Sequence, residues 1–318
     1  MRDDHHFRAM NRATGILLTV LLTTLTFACG APPSIPEPAG APVVPDRSVY
    51  WHQGKAEVSR FDLQQVRYGS IYSGEAVMIF VKEDFLPRAQ VKHEGRSAAE
   101  TPVPAMKLIA TRDFLTGLYP YSLMTTVFAP FRAEDGRSYK ITATTQDWCG
   151  QTFMQLNNRD SLFAVAYRSY FEEEGDRDFA VPPAILEDEL FTIVRTDPAR
   201  LPLGEVRVLP SLHCVQLRIK EFREHPGTAA VSTRLLPDLA RDSVRVYAIR
   251  YHDVPREFSI TFEAAFPHAI LAWEETEGEL EAGKRPMTTR GVRTHTMLTD
   301  YWNRSAPADS ILRKGLGL

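Results

Sequence analysis

Beyond residue 46 the chain alternates short apolar, β-branched and aromatic stretches with turn residues, the pattern of successive strands. Residues 55–68 alternate through Ala56, Val58, Phe61 and Leu63, while 75–82 are apolar enough to be buried on both faces. Further strands are predicted over 106–114, 121–131, 137–146, 151–156 and 162–171, and then over 205–209, 214–222, 229–235, 243–252, 257–266, 270–275 and 287–298. Asp135-Gly136 offers the positive φ of a tight hairpin, and Pro226-Gly227 and Asp253-Val254-Pro255 mark further turns. This spacing predicts a mainly β fold. It is either one large curved antiparallel sheet, or half-open barrel, or two β lobes with a seam near 197–204.

One covering helix is predicted near 183–195. Pro182 and Pro183 open it, Glu187, Asp188 and Glu189 fall early, Arg195 falls late, and Thr196-Asp197-Pro198 ends it. Ile185, Leu186, Leu190 and Ile193 or Val194 would form its buried stripe. Residues 47–304 thus make a β-rich body, and the tail 305–318 is expected to be flexible.

The first 46 residues follow another pattern. Arg8 and Arg12 precede an apolar run over 13–28, too short for a comfortable bilayer span of roughly 20 residues but suited to an export signal. It ends at Ala28-Cys29, which predicts a lipoprotein signal over 1–28, cleavage after Ala28 and a diacylglycerol on Cys29. Thr26 stands where leucine is usual, and Asp3 and Asp4 dilute the positive flank, so a plain secretory signal and an uncleaved anchor are the competing readings. All three export the body. Residues 29–46 hold six prolines between Gly30 and Pro45, a semi-extended tether reaching roughly 50 Å at about 3.1 Å per residue. Gly30, not aspartate, follows Cys29, so the first placement is the outer membrane, facing the periplasm.

Composition narrows the classes. With 318 residues, 44% of them hydrophobic, a core forms without metal or disulfide support, and a net charge of −3 with no basic stripe excludes a nucleic-acid partner. Of the three cysteines, Cys149 and Cys214 remain as a candidate disulfide worth about 4 kcal/mol, or as two unrelated buried thiols.

Catalytic patterns are absent. There is no G-x-S-x-G elbow and no phosphate-binding glycine loop, 69–74 reads as a polar turn, and His252-Asp253 on a strand would face opposite ways. The nine histidines lack zinc spacing, so no catalytic residue, metal or cofactor is expected. The acidic stretch 171–178 could chelate calcium but lacks the EF-hand order, and reads as a solvated loop. Tyr119, Tyr121, Trp148 and Trp273 are the candidate contacts for a hydrophobic ligand: in an incompletely curled sheet they would line a concavity for a lipid or acyl chain. Ordinary core packing is the rival reading.

Trp51-x-x-Gly54-Lys55-Ala56-Glu57, Arg67-Tyr68-Gly69, Gly74-Glu75-Ala76-Val77, Thr116-Gly117-x-Tyr119-Pro120-Tyr121-Ser122, Trp148-Cys149-Gly150, Gln155-Leu156-Asn157-Asn158-Arg159 and Trp273-Glu274-Glu275-Thr276 carry a resemblance. Together they resemble a family of bacterial envelope lipoproteins of unassigned function, often labelled septum formation inhibitor Maf, over about 51–302. The label would imply a nucleotide pyrophosphatase. The Ser-Pro-Arg-Arg-type stretch of such enzymes does not occur here, so no catalytic role carries over. Taken with the export signal and the absent catalytic patterns, the expectation is a membrane-anchored, non-enzymatic binding or envelope-maintenance module with an apolar ligand, or else a structural partner of an envelope complex.

Overall fold

Two runs of hairpin-linked strands join into a single sheet of sixteen strands. The first run comprises β1 (Ala56–Arg67), β2 (Ser70–Leu86), β3 (Val91–Lys92), β4 (Val103–Thr116), β5 (Tyr119–Pro130), β6 (Lys140–Asp147), β7 (Gly150–Asn158), β8 (Phe163–Ser169) and β9 (Arg177–Val181). The second comprises β10 (Ile185–Leu186), β11 (Gly204–Leu209), β12 (His225–Arg234), β13 (Val244–Tyr251), β14 (Arg256–Glu263), β15 (Ile270–Glu277) and β16 (Met287–Thr299). The structure is a computed structural model and describes residues 47–96, 100–132, 136–218, 221–278 and 285–318. The expected signal 1–28 with Ala28, the lipidated Cys29 and the tether to residue 46 lie outside the described residues, as does Asp135 of the expected hairpin.

β1 sits between β2 and β16, so the first and last strands of the body stitch the two runs together. The sheet therefore ends at β9 and β10. Those edges are separated in the chain only by Pro182, Pro183 and Ala184, and prolines, which lack an N–H, suit a place where pairing stops. β10 pairs with β11 in parallel and the other strand pairs are antiparallel.

Alternation sets the inner face. Met106, Leu108 and Phe114 of β4, Tyr121, Leu123 and Val127 of β5, and Met154 and Leu156 of β7 are buried and meet Tyr247, Ile249, Phe258, Ile260 and Trp273 of the second run in one apolar cluster. Residues 44–318 form one compact unit, so the alternative of two β lobes with a seam at 197–204 does not hold.

The covering helix is shorter than expected. Ile185 and Leu186 stay extended and pair with Val208 and Leu209, Glu187–Glu189 form one 3-10 turn, and α2 is Leu190–Thr196, taking α1 as Arg47–His52. The acidic run turns inward to buried partners and does not complement a helix dipole. A further helix, α3 (Leu212–Leu217), replaces the strand expected over 214–222, because Ser211 caps it by accepting from Cys214 N at 3.2 Å. Pro226-Gly227 lies within β12 and is not a turn. The tail carries structure as well: Pro307–Ser310 and α4 (Ile311–Gly315) bring Leu316 to a buried position, with Gly317 against His295 of β16.

Candidate functional site

Residues 187–218 fasten into the hollow of the sheet through charged and polar side chains. Glu187 pairs with Arg256 and accepts from Tyr251 Oη at 2.5 Å; Asp188 accepts from Leu212 N at 2.8 Å; Glu189 accepts from Ser138 N at 3.0 Å and Ser138 Oγ at 2.8 Å. In α2, Arg195 pairs with Glu57 of β1 and donates to Pro267 O at 2.6 Å. In α3, His213 Nε2 lies 3.2 Å from the Thr144 carbonyl, which must accept, so Nδ1 accepts from Thr125 Oγ1, also at 3.2 Å. Arg218 closes the segment by pairing with Glu277 at 2.9 Å and donating to Val66 O at 2.6 Å. The chain fills its own concavity.

The electrostatics follow from burial. Desolvation pushes the Asp188 carboxyl up to about 7, against the Leu212 N–H, and pushes the His213 imidazole down to about 3, helped by Arg112. Burial also opposes ionisation of Glu275, yet Arg112 and Arg256 outweigh it and hold that group at about 2. These groups have protein partners. The cavity that Asp188, His213 and Arg112 help to line measures about 20 Å³, room for one water and no substrate.

The four aromatic candidates separate into two places. Tyr121 is buried and stacks on Phe114 at 5.0 Å; its hydroxyl lies 2.6 Å from that of Tyr68, and Tyr119 bridges to Trp148 at 6.5 Å between ring centroids. These three sit at neighbouring hairpin turns. Trp273 lies elsewhere, buried under Arg112, whose guanidinium is 4.2 Å from its ring, and packed on Gly291 of β16. Trp273 lines the 20 Å³ cavity, away from the other three, so the four residues do not share one concavity, and the core-packing reading holds for Tyr121 and Trp273. The candidate bridge is not formed either. Cys149, in the exposed β6–β7 turn, and Cys214, buried in α3, are both free.

Space exists instead beside the sheet edge. A cleft of about 660 Å³ runs along β9, between the inner side of β7–β9 and the end of α3. Met154, Tyr167, Phe179, Val181, Val215 and Phe222 give it an apolar floor, with Phe179 and Phe222 edge-to-face at 6.4 Å. Its rim carries Glu174, Asp176, Asp178 and Glu221 against Arg177. Glu174 is held by the hydroxyls of Tyr167 and Ser169, each at 2.6 Å, and Asp178 by Arg168 at 2.7 Å. The acidic stretch thus works as a wall, and among the described residues no group of three metal-ligating side chains converges. His252 and Asp253 also part company: Asp253 pairs with His225 at 3.0 Å, and His252 with Thr228 at 2.9 Å.

Compared with family models, curated proteins and solved structures, the chain matches none. The sequence pattern assigns no element to Phe179-Ala180-Val181, which stand between the acidic stretch 171–178 and the helix expected near 183–195. Their alternation, ended by Pro182-Pro183, is the signal for an edge strand.

Proposed function

We propose that this chain is an envelope lipoprotein, anchored through Cys29, whose body binds an apolar or amphiphilic small molecule without chemically transforming it. One observation carries the binding reading: the cleft beside β9 is the size of a small-molecule site, roughly 300–1,000 Å³, and its floor leaves Phe179, Val181 and Val215 only half-buried. The acidic rim selects among ligands. A carboxylate or phosphate head would meet like charge there, whereas a neutral or cationic head would not.

The anchor reading rests on the sequence of 1–46 and the cleft reading on the fold, so they are tested separately. Labelled fatty acid should enter the wild-type protein and not Cys29→Ser. Protein purified without organic extraction should release a small apolar species in mass spectrometry. A preparation that binds no such species, native or added, would remove the binding function and leave the envelope-partner reading.

A further inference from the structure

We propose that the hairpin turns at one end of the sheet form a docking surface for a neutral phospholipid bilayer. Four connections meet there: the β1–β2, β4–β5 and β6–β7 turns and the β8–β9 loop. Their aromatic rings form a continuous band. Tyr119 Oη lies 3.5 Å from Tyr68 Oη, the Tyr119 ring neighbours Trp148, and the Tyr170 ring covers Gly150, where a Cβ would fall 2.2 Å from its Cε1. Phe171 continues the band, 4.3 Å from Tyr170 between centroids.

These rings face outward. Leu118 is 79% exposed, Trp148 69% and Tyr68 57%, although turns ordinarily carry small polar residues. Tyr68 even adopts φ 51°, a left-handed conformation that glycine or asparagine would adopt more cheaply. Keeping tyrosine there trades stability for an exposed ring.

The chemistry selects a bilayer. Tyrosine and tryptophan are the side chains that settle at the headgroup level, and Leu118, the most exposed residue of the band, projects from a turn as an apolar tip. Two charged groups beside the band are tied to protein partners. Arg67 lies over the Tyr68 ring at 4.5 Å and donates to Leu217 O at 2.9 Å, and Asp147 is occupied by the N–H groups of Cys149 and Gly150. Glu172, exposed, follows Phe171 directly, so an anionic membrane would be repelled. This inference does not depend on the cleft, which lies on the inner side of β9.

The test uses the full processed protein mixed with phosphatidylcholine vesicles whose acyl chains carry bromine, a short-range quencher of tryptophan emission. Wild type should lose emission on mixing, Trp148→Phe should lose most of that quenching, and Leu118→Asp should show the same loss with its circular dichroism unchanged. Replacing half of the lipid by phosphatidylglycerol should weaken the effect. Equal quenching in wild type and Trp148→Phe would overturn the proposal, as would capture of the band by a protein partner with no bilayer-dependent quenching.

Discussion

Arg112 on β4 donates to Glu275 on β15 at 2.6 Å, although β16, β1 and β2 lie between those strands in the sheet. Strands sit about 4.8 Å apart, so a flat sheet would hold these residues near 19 Å from one another. The ion pair spans the hollow and measures the curl directly. Both side chains are largely buried, and removing Arg112 leaves Glu275 with the longer contact to Arg256, at 3.8 Å: Arg112→Met should cost about 3 kcal/mol in urea unfolding, while Arg112→Met with Glu275→Leu should recover part of that loss. If the two changes simply add, the pair does not span the interior.

The same interior makes stability depend on pH in two opposed ways. Asp188 is raised to about 7, so its contribution is complete below about pH 4 and is lost as pH climbs through 7. His213 and Glu275 are lowered to about 3 and about 2, so their contributions are present above about pH 6.5 and 4.5 respectively and are lost as pH falls through the lowered values. Asp188→Asn should therefore abolish the part of the slope between pH 4 and 7 that falls with rising pH, a difference on the order of 4 kcal/mol. Urea midpoints at pH 4 and pH 7 check this; an unchanged slope in the variant would show that Asp188 ionises freely.

Gly291 leaves room for an indole. A Cβ there would lie 2.4 Å from Trp273 Nε1 and 2.5 Å from Cε2, so Gly291→Ala should cost about 1–3 kcal/mol and red-shift the buried tryptophan emission. An unaltered melting temperature would contradict this packing.

The thiols provide a chemical check. Cys149 should react with maleimide in the native protein and Cys214 only after unfolding, with no reductant needed for either. Failure of Cys214 to react in denaturant unless reduced would restore the bridge.

Much of the sheet was legible from alternation alone: predicted strands over 106–114, 121–131, 243–252 and 287–298 coincide closely with β4, β5, β13 and β16. What lay hidden depended on tertiary partners. Glu187, Asp188 and Glu189 look like the solvated start of a helix until Arg256, Leu212 and Ser138 arrive from distant sequence to receive them. Leu212–Leu217 is strand-like in composition, and its helix follows from a local cap and from the hydrogen bonds of His213 and Gln216 to β5 and β6. Of the candidate site, Tyr119, Tyr121 and Trp148 do cluster, but at the turns. Trp273 belongs to the core, and the cleft is built from β9, whose five residues are too few for a strong periodic signal.

The most direct test of the binding account is a fluorescence titration with N-phenyl-1-naphthylamine, an uncharged apolar probe, on wild type and on Val215→Trp, which places a bulky ring in the cleft. The account predicts saturable one-to-one binding by wild type, loss of that binding in a folded Val215→Trp protein, and weaker binding of the anionic analogue 1-anilinonaphthalene-8-sulfonate. Probe binding that is absent in wild type, or equally strong in both proteins, would contradict it.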